Sequence, residues 1–143
     1  MNEESDEAPG TPGRPPAYAN PVPREAIDRL GPVVLKACLR IADHLDLSRG
    51  ERLALLGLPG EAELPAPDGL SDEQFYRLSY IVGIWLDVGA RFGSRDAIVH
   101  WLKAPCHDQE LAGRNVVEYL IEEGLPGFDY IRRDTAYWAC NGW

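Results

Sequence analysis

Three times along this chain a small polar residue is followed, three positions later, by Glu or Gln, with an apolar run just beyond. The sets are Ser48 with Glu51, Ser71 with Gln74, and Asn115 with Glu118. In a capping box the first side chain accepts from the N3 amide and the N3 side chain accepts from the N-cap amide. Three helix starts are therefore written into the sequence. The residues after each one repeat at three and four positions, which is the helical period. Leu53, Leu55 and Leu56 follow the first, and Gly57 and Pro59 stop it. After the second, a helix is predicted over Asp72 to Phe92, with Phe75, Leu78, Ile81, Val82, Trp85, Leu86 and Val88 forming a broad apolar face. Gly83 and Gly89 on it would let a neighbour approach closely. The third carries Val116, Val117, Leu120 and Ile121 and ends at Gly124.

The remaining segments read the same way. Gly31-Pro32 marks a helix start, with proline near the first position. Val34, Leu35, Cys38, Ile41, Ala42 and Leu45 then form one stripe, and Arg24 to Leu30 reads as a separate short helical piece. Ser94 caps a short helix through Leu102, with Pro105 beyond it. A last amphipathic piece is predicted from about Phe128 to Trp138. Period-2 strand patterns are absent, so an all-α fold is expected. Residues 24–93 make one helical region and residues 94–143 a second. Residues 1–23, with six prolines and four acids in the first seven positions, read as a disordered acidic tail.

Of the 143 residues, 45% are hydrophobic, enough for one compact core or two small helical units sharing one. The net charge is −9, and removing the four N-terminal acids leaves about −5. No long basic run offers a nucleic-acid face. The longest uncharged apolar run, Tyr80 to Leu86, is too short to cross a bilayer. Three widely spaced cysteines without a signal-peptide pattern suggest reduced thiols and a cytoplasmic protein.

Reactive constellations are sparse. Gly57-Leu-Pro-Gly60 lacks the lysine of a phosphate loop. Cys106-His107-Asp108 has no second ligand pair for a metal. A Cys106/His100 nucleophile pair lacks an orienting third group. His44 suits a helix C-terminus, and Glu122-Glu123 a solvated helix end. The expectation is a binding protein with no catalytic, cofactor or metal residues. The end of the chain is more pointed. Tyr130, Tyr137, Trp138 and Trp143 are concentrated where termini are usually polar, and such aromatics dock on their own core or anchor a partner.

Ser48 to Leu58 resembles the Leu-Ser/Thr-x-x-Glu-x-Ala-x-Leu-Leu-Gly stretch of Xre-like helix-turn-helix regions. Ser-Arg-Asp-Ala-Ile-Val-His-Trp-Leu-Lys-Ala-Pro, residues 94–105, resembles the Ala-x-x-Trp-Leu-x-x-Pro element of Xre/MbcA/ParS-type antitoxins. Residues 111–120 and Ile131-Arg-Arg-Asp resemble later elements of that toxin-binding domain. The resemblance runs from about Pro32 to the last residue. It implies a type II antitoxin whose partner is a RES-domain, NAD-consuming toxin. It further implies that the C-terminal end approaches the toxin active site, and that the protein binds operator DNA and self-associates as a homodimer. Tyr130, Arg132, Arg133, Tyr137, Trp138, Asn141 and Trp143 would then contact the toxin, and Arg49 and Arg52 would contact DNA. The chain departs from the pattern in three places. Cys106 follows Pro105 where asparagine is usual, and Val116 replaces a helix-start proline. Where a recognition helix belongs stands the acidic Pro59-Gly-Glu-Ala-Glu-Leu-Pro65. A DNA-binding regulator without a toxin partner is the alternative reading.

Overall fold

The computed structural model describes residues 15–141. Six α-helices make up the fold: α1 (Arg24–His44), α2 (Arg49–Leu55), α3 (Asp72–Phe92), α4 (Arg95–Lys103), α5 (Val116–Glu123) and α6 (Leu125–Asn141). Among the described residues there are no strands, as the sequence pattern predicts. All three capping boxes form, at Ser48, Ser71 and Asn115, each with both reciprocal hydrogen bonds. Ser94 caps α4 by accepting from the Ala97 amide at 3.2 Å.

Two starts differ from the sequence expectation. Helix α1 is continuous through Pro32 instead of beginning there. A proline inside a helix removes one backbone hydrogen bond and costs about 3 kcal/mol. Burial on both sides offsets it: Ile27 and Gly31 lie on the same buried face as Leu35 and Cys38. On the N-terminal side of the proline, the Arg24 guanidinium donates to the carbonyls of Asp68 and Leu70 at 3.1 and 3.2 Å, fastening the first turn. Gly31 is where the loop before α3 crosses α1; a Cβ there would stand 2.5 Å from the Pro67 carbonyl oxygen. Helix α6 starts at Leu125, three residues earlier than the periodicity indicates. Gly124, at φ 69°, ends α5, and its carbonyl already receives the amides of Gly127 and Phe128. One residue thus turns one helix into the next.

Helix α3 is the central element, packed against α1, α4 and α6. Its glycines mark the approaches. The Arg132 side chain of α6 lies over Gly83, and Ile98 of α4 over Gly89, where a Cβ would come within 3.1 Å of it. One continuous core draws Ile41, Ile84, Val88, Leu102, Leu120, Phe128 and Ile131 from five helices. A smaller cluster of Ile27, Leu35, Cys38, Leu56, Leu70 and Leu78 fills the end where α1 meets α2 and α3. Burial pushes the Cys38 thiol up to about 12, and it donates to the Leu78 carbonyl at 3.2 Å. It is a packing residue.

Among the described residues the one buried charge is Arg77. Its side chain is 9% exposed. It donates to Glu73 at 2.9 Å and to the Leu55 carbonyl at 3.0 Å, and it lies 5.5 Å over the Phe128 ring. The Leu55 carbonyl is one of the last in α2, which have no partner within their own helix. Gly57 and Gly124 both adjoin the guanidinium; a Cβ on either would come within 3.1–3.3 Å of it. Removing Arg77 strands a buried carbonyl and uncovers an aromatic face. Arg77→Leu is expected to lower unfolding free energy by roughly 2–4 kcal/mol in urea denaturation; a loss below about 0.5 kcal/mol, the level of an ordinary surface substitution, would show the contact to be incidental.

Candidate protein interface on the last helix

The two faces of α6 are put to different uses. On the inner face, Phe128, Ile131 and Thr135 are buried. Two polar clamps hold this face and its edges to α3. In one, Asp87 accepts from Arg132 and from the fully buried Thr135 hydroxyl, each at 2.9 Å. In the other, Asp129 accepts from the Tyr80 hydroxyl at 2.8 Å and pairs with Arg133 at 2.7 Å. Burial raises the Tyr80 phenol, and the hydrogen bond to Asp129 raises it further. Trp138 packs against the core. It meets Trp101 edge-on at 5.2 Å, and the Arg91 guanidinium sits 4.8 Å over its ring.

The outer face carries Tyr130, Asp134 and Tyr137, spaced four and three residues apart and so stacked on one side of the helix. Tyr130 is 45% exposed and Tyr137 65%. The loop after α4 runs beside Tyr130. This loop is closed on itself: the Cys106 amide donates to Arg114 O, and the Gly113 amide to Cys106 O. Ala112 (φ 54°) and Gly113 (φ 95°) make the turn, and Asp108 accepts from the Leu111 amide at 2.7 Å. Arg114 locks the loop to α5 by pairing with Glu122 and Glu123 at 2.7 and 3.1 Å. Glu110 accepts from the buried Tyr119 hydroxyl at 2.8 Å, and the Tyr119 ring lies 5.9 Å from that of Tyr130. Burial raises the Tyr130 phenol, and the carboxylates of Asp108, Asp134 and Glu110 raise it further. Asp134 is likewise raised, by burial first and by Asp108 second. The result is an aromatic and acidic surface on a rigid helix and a braced loop.

The residues singled out in the sequence thus divide. Tyr130 and Tyr137 face outward. Arg132 and Trp138 serve the fold, while Arg133 pairs with Asp129 and is itself exposed beside the two tyrosines. Asn141 is the last residue of α6; its side chain, and the whole of Trp143, lie outside the described residues. Arg49 donates to the carbonyls of Gly60 and Ala62 at 2.9 and 2.6 Å. Arg52 donates to Leu47 O at 3.0 Å and pairs with Asp43 at 2.9 Å. No helix occupies residues 57–70, so α2 has no second helix of a helix-turn-helix after it. His44 stacks on Trp85 at 5.7 Å. Among the described residues no three His, Cys, Asp or Glu side chains converge as metal ligands would, and no helix is long and apolar enough to cross a membrane. The sequence reading missed Asp108, Glu110 and Asp134 as parts of this surface, because their juxtaposition depends on how the loop folds back.

Fold and surface together define a small all-helical protein with an outward aromatic and acidic face. No protein-family profile matches the chain, and no solved structure matches it significantly. Among curated proteins it is similar to an uncharacterized protein of Sinorhizobium fredii (strain NBRC 101917 / NGR234), y4oB. The two are 30% identical over 106 aligned residues, covering 66% of this chain and 82% of that protein. The chain belongs to the family of y4oB.

The raised Asp134 carboxyl makes a signed prediction. The folded chain holds its proton more tightly than the unfolded chain does, so stability falls as pH rises through the carboxylate range. Asp134→Asn is expected to be more stable than the parent at pH 7. That advantage should shrink as pH is lowered and Asp134 takes up its proton. Paired urea titrations at pH 7 and pH 3.5 check this; an advantage independent of pH would refute it.

Proposed function

We propose that this chain acts by binding another protein through the outer face of α6, and that the partner is a toxin which it neutralises. The observation that carries the reading is Tyr130 and Tyr137 exposed in register on a helix whose inner face is already clamped. Tyrosines contribute large contact area at little entropic cost and are favoured anchors in interfaces. The surrounding carboxylates of Asp108, Glu110 and Asp134 would complement a basic surface on the partner and speed encounter with it. The resemblance of residues 94–120 to the toxin-binding domain of Xre/MbcA/ParS-type antitoxins points the same way, and makes a RES-domain toxin the partner to test first. In that reading Asn141 and Trp143 would continue the interface toward the toxin active site. The DNA-binding alternative draws less support, since Arg49 and Arg52 already hold carbonyls of their own chain.

Truncating the C-terminus would be a poor test, because it removes Thr135 and Trp138, which hold the fold. Point substitutions separate the two roles. Tyr130→Ala with Tyr137→Ala should lower the urea midpoint less than Trp138→Ala does, while weakening capture of the co-expressed toxin by on the order of a hundredfold. Trp138→Ala should do the reverse, costing stability first, by about 3 kcal/mol. The readouts are affinity by calorimetry and rescue of growth on toxin expression. Full rescue by the double tyrosine variant, with unaltered affinity, would remove this face from the mechanism.

A further inference from the structure

Beneath the loop that joins α2 to α3 lies an apolar cavity of about 50 Å³, where both core clusters meet. Its deep walls include Leu35, Ile84 and Leu120, and its more exposed lining includes Leu39 and Leu64. Protein interiors hold few voids larger than a water molecule, and a void without polar partners stays dry. The Cys38 and Arg52 side chains in this lining are already partnered. The Cys38 thiol donates to Leu78 O, and Arg52 is held by Leu47 O and Asp43. The lining is mostly aliphatic, and its one charge is already paired. An apolar molecule would leave no hydrogen bond to water unreplaced on entering.

The covering loop has the form of a strap. Arg24 fastens its far end at Asp68 and Leu70. Arg49 fastens its near end at Gly60 and Ala62, and Gly57, at φ 77°, begins it. Between the two fastenings Leu64 reaches the cavity although it is 41% exposed. We infer that this cavity is a binding site for a small, uncharged, apolar molecule of the hydrocarbon class, admitted when the strap carrying Leu64 swings aside. The site is independent of the α6 face. Arg49 is its latch, which gives that arginine a purpose other than a phosphate contact.

Size sets the test. Apolar cavities of about 150 Å³ take benzene, so the present space accepts it only if Leu64 yields. Benzene, titrated into protein with labelled methyl groups, should shift the resonances of Leu35, Ile84 and Leu120. Leu64→Ala, at a half-exposed position, should tighten binding by about tenfold, roughly the worth of one or two methylenes of recovered contact. Arg49→Ala should speed exchange. Ala42→Leu fills the cavity and should abolish binding; if it does not fold, the map of shifted methyls still locates the ligand. No shift at these methyls up to the solubility limit of benzene, in either the parent or the Leu64→Ala variant, overturns the inference, as do shifts confined to the α6 face.

Discussion

A buried guanidinium governs how the two ends of this fold meet. Arg77 comes from the first turns of α3, yet its contacts are with the end of α2, the corner between α5 and α6, and the Phe128 ring. A charge taken out of water is costly unless its hydrogen bonds are satisfied. Here Glu73 supplies the counter-charge from the same helix, and Leu55 supplies a carbonyl that α2 cannot use. The two glycines beside it follow from that placement. Gly57 and Gly124 both adopt positive φ and both leave room for the guanidinium. Four elements are thereby brought into register around one side chain.

The division of labour on α6 rests on that register. Its inner face is fixed by apolar contact and by carboxylates at Asp87 and Asp129 that meet partners from both helices. On the outer face Tyr130 packs beside Tyr119 and is still 45% exposed, and Tyr137 is 65% exposed. Rigid presentation of an aromatic pair reduces the ordering that binding must otherwise impose. The loop 105–114, closed by Cys106 and braced by Arg114, adds its carboxylates from a second fixed support.

Much of the fold was legible because helix starts are local chemistry. Ser48, Ser71 and Asn115 announce themselves with their N3 partners, and the structure places all three caps there. The close approaches at Gly83 and Gly89 were legible for the same reason. Pro32 was misleading: proline usually marks a helix start, but burial of Ile27 and Leu35 on either side of it carries the helix through. Leu125-Pro126-Gly127 read as loop, because a helix can begin one residue after another ends only when that residue serves both. The arginines were least legible. Arg49, Arg52, Arg132 and Arg133 look alike in a sequence, and whether each meets a backbone carbonyl, a carboxylate or a partner is decided by residues from 4 to 45 positions away. The acidic surround of Tyr130 was hidden for that reason too.

The single-residue corner at Gly124 has a mechanical consequence. With no linker to absorb a change in length, α6 behaves like a screw seated in α5, and its angular setting is fixed at the thread's first turn. Adding or deleting one residue there would rotate every later side chain by about 100°. Tyr130 and Tyr137 would leave the outer face, and Thr135 would leave Asp87. The spacing from Asn115 to Thr135 is therefore constrained as a unit. The identity of an outward residue on α6 can change without disturbing the inner face, but its position along the helix cannot.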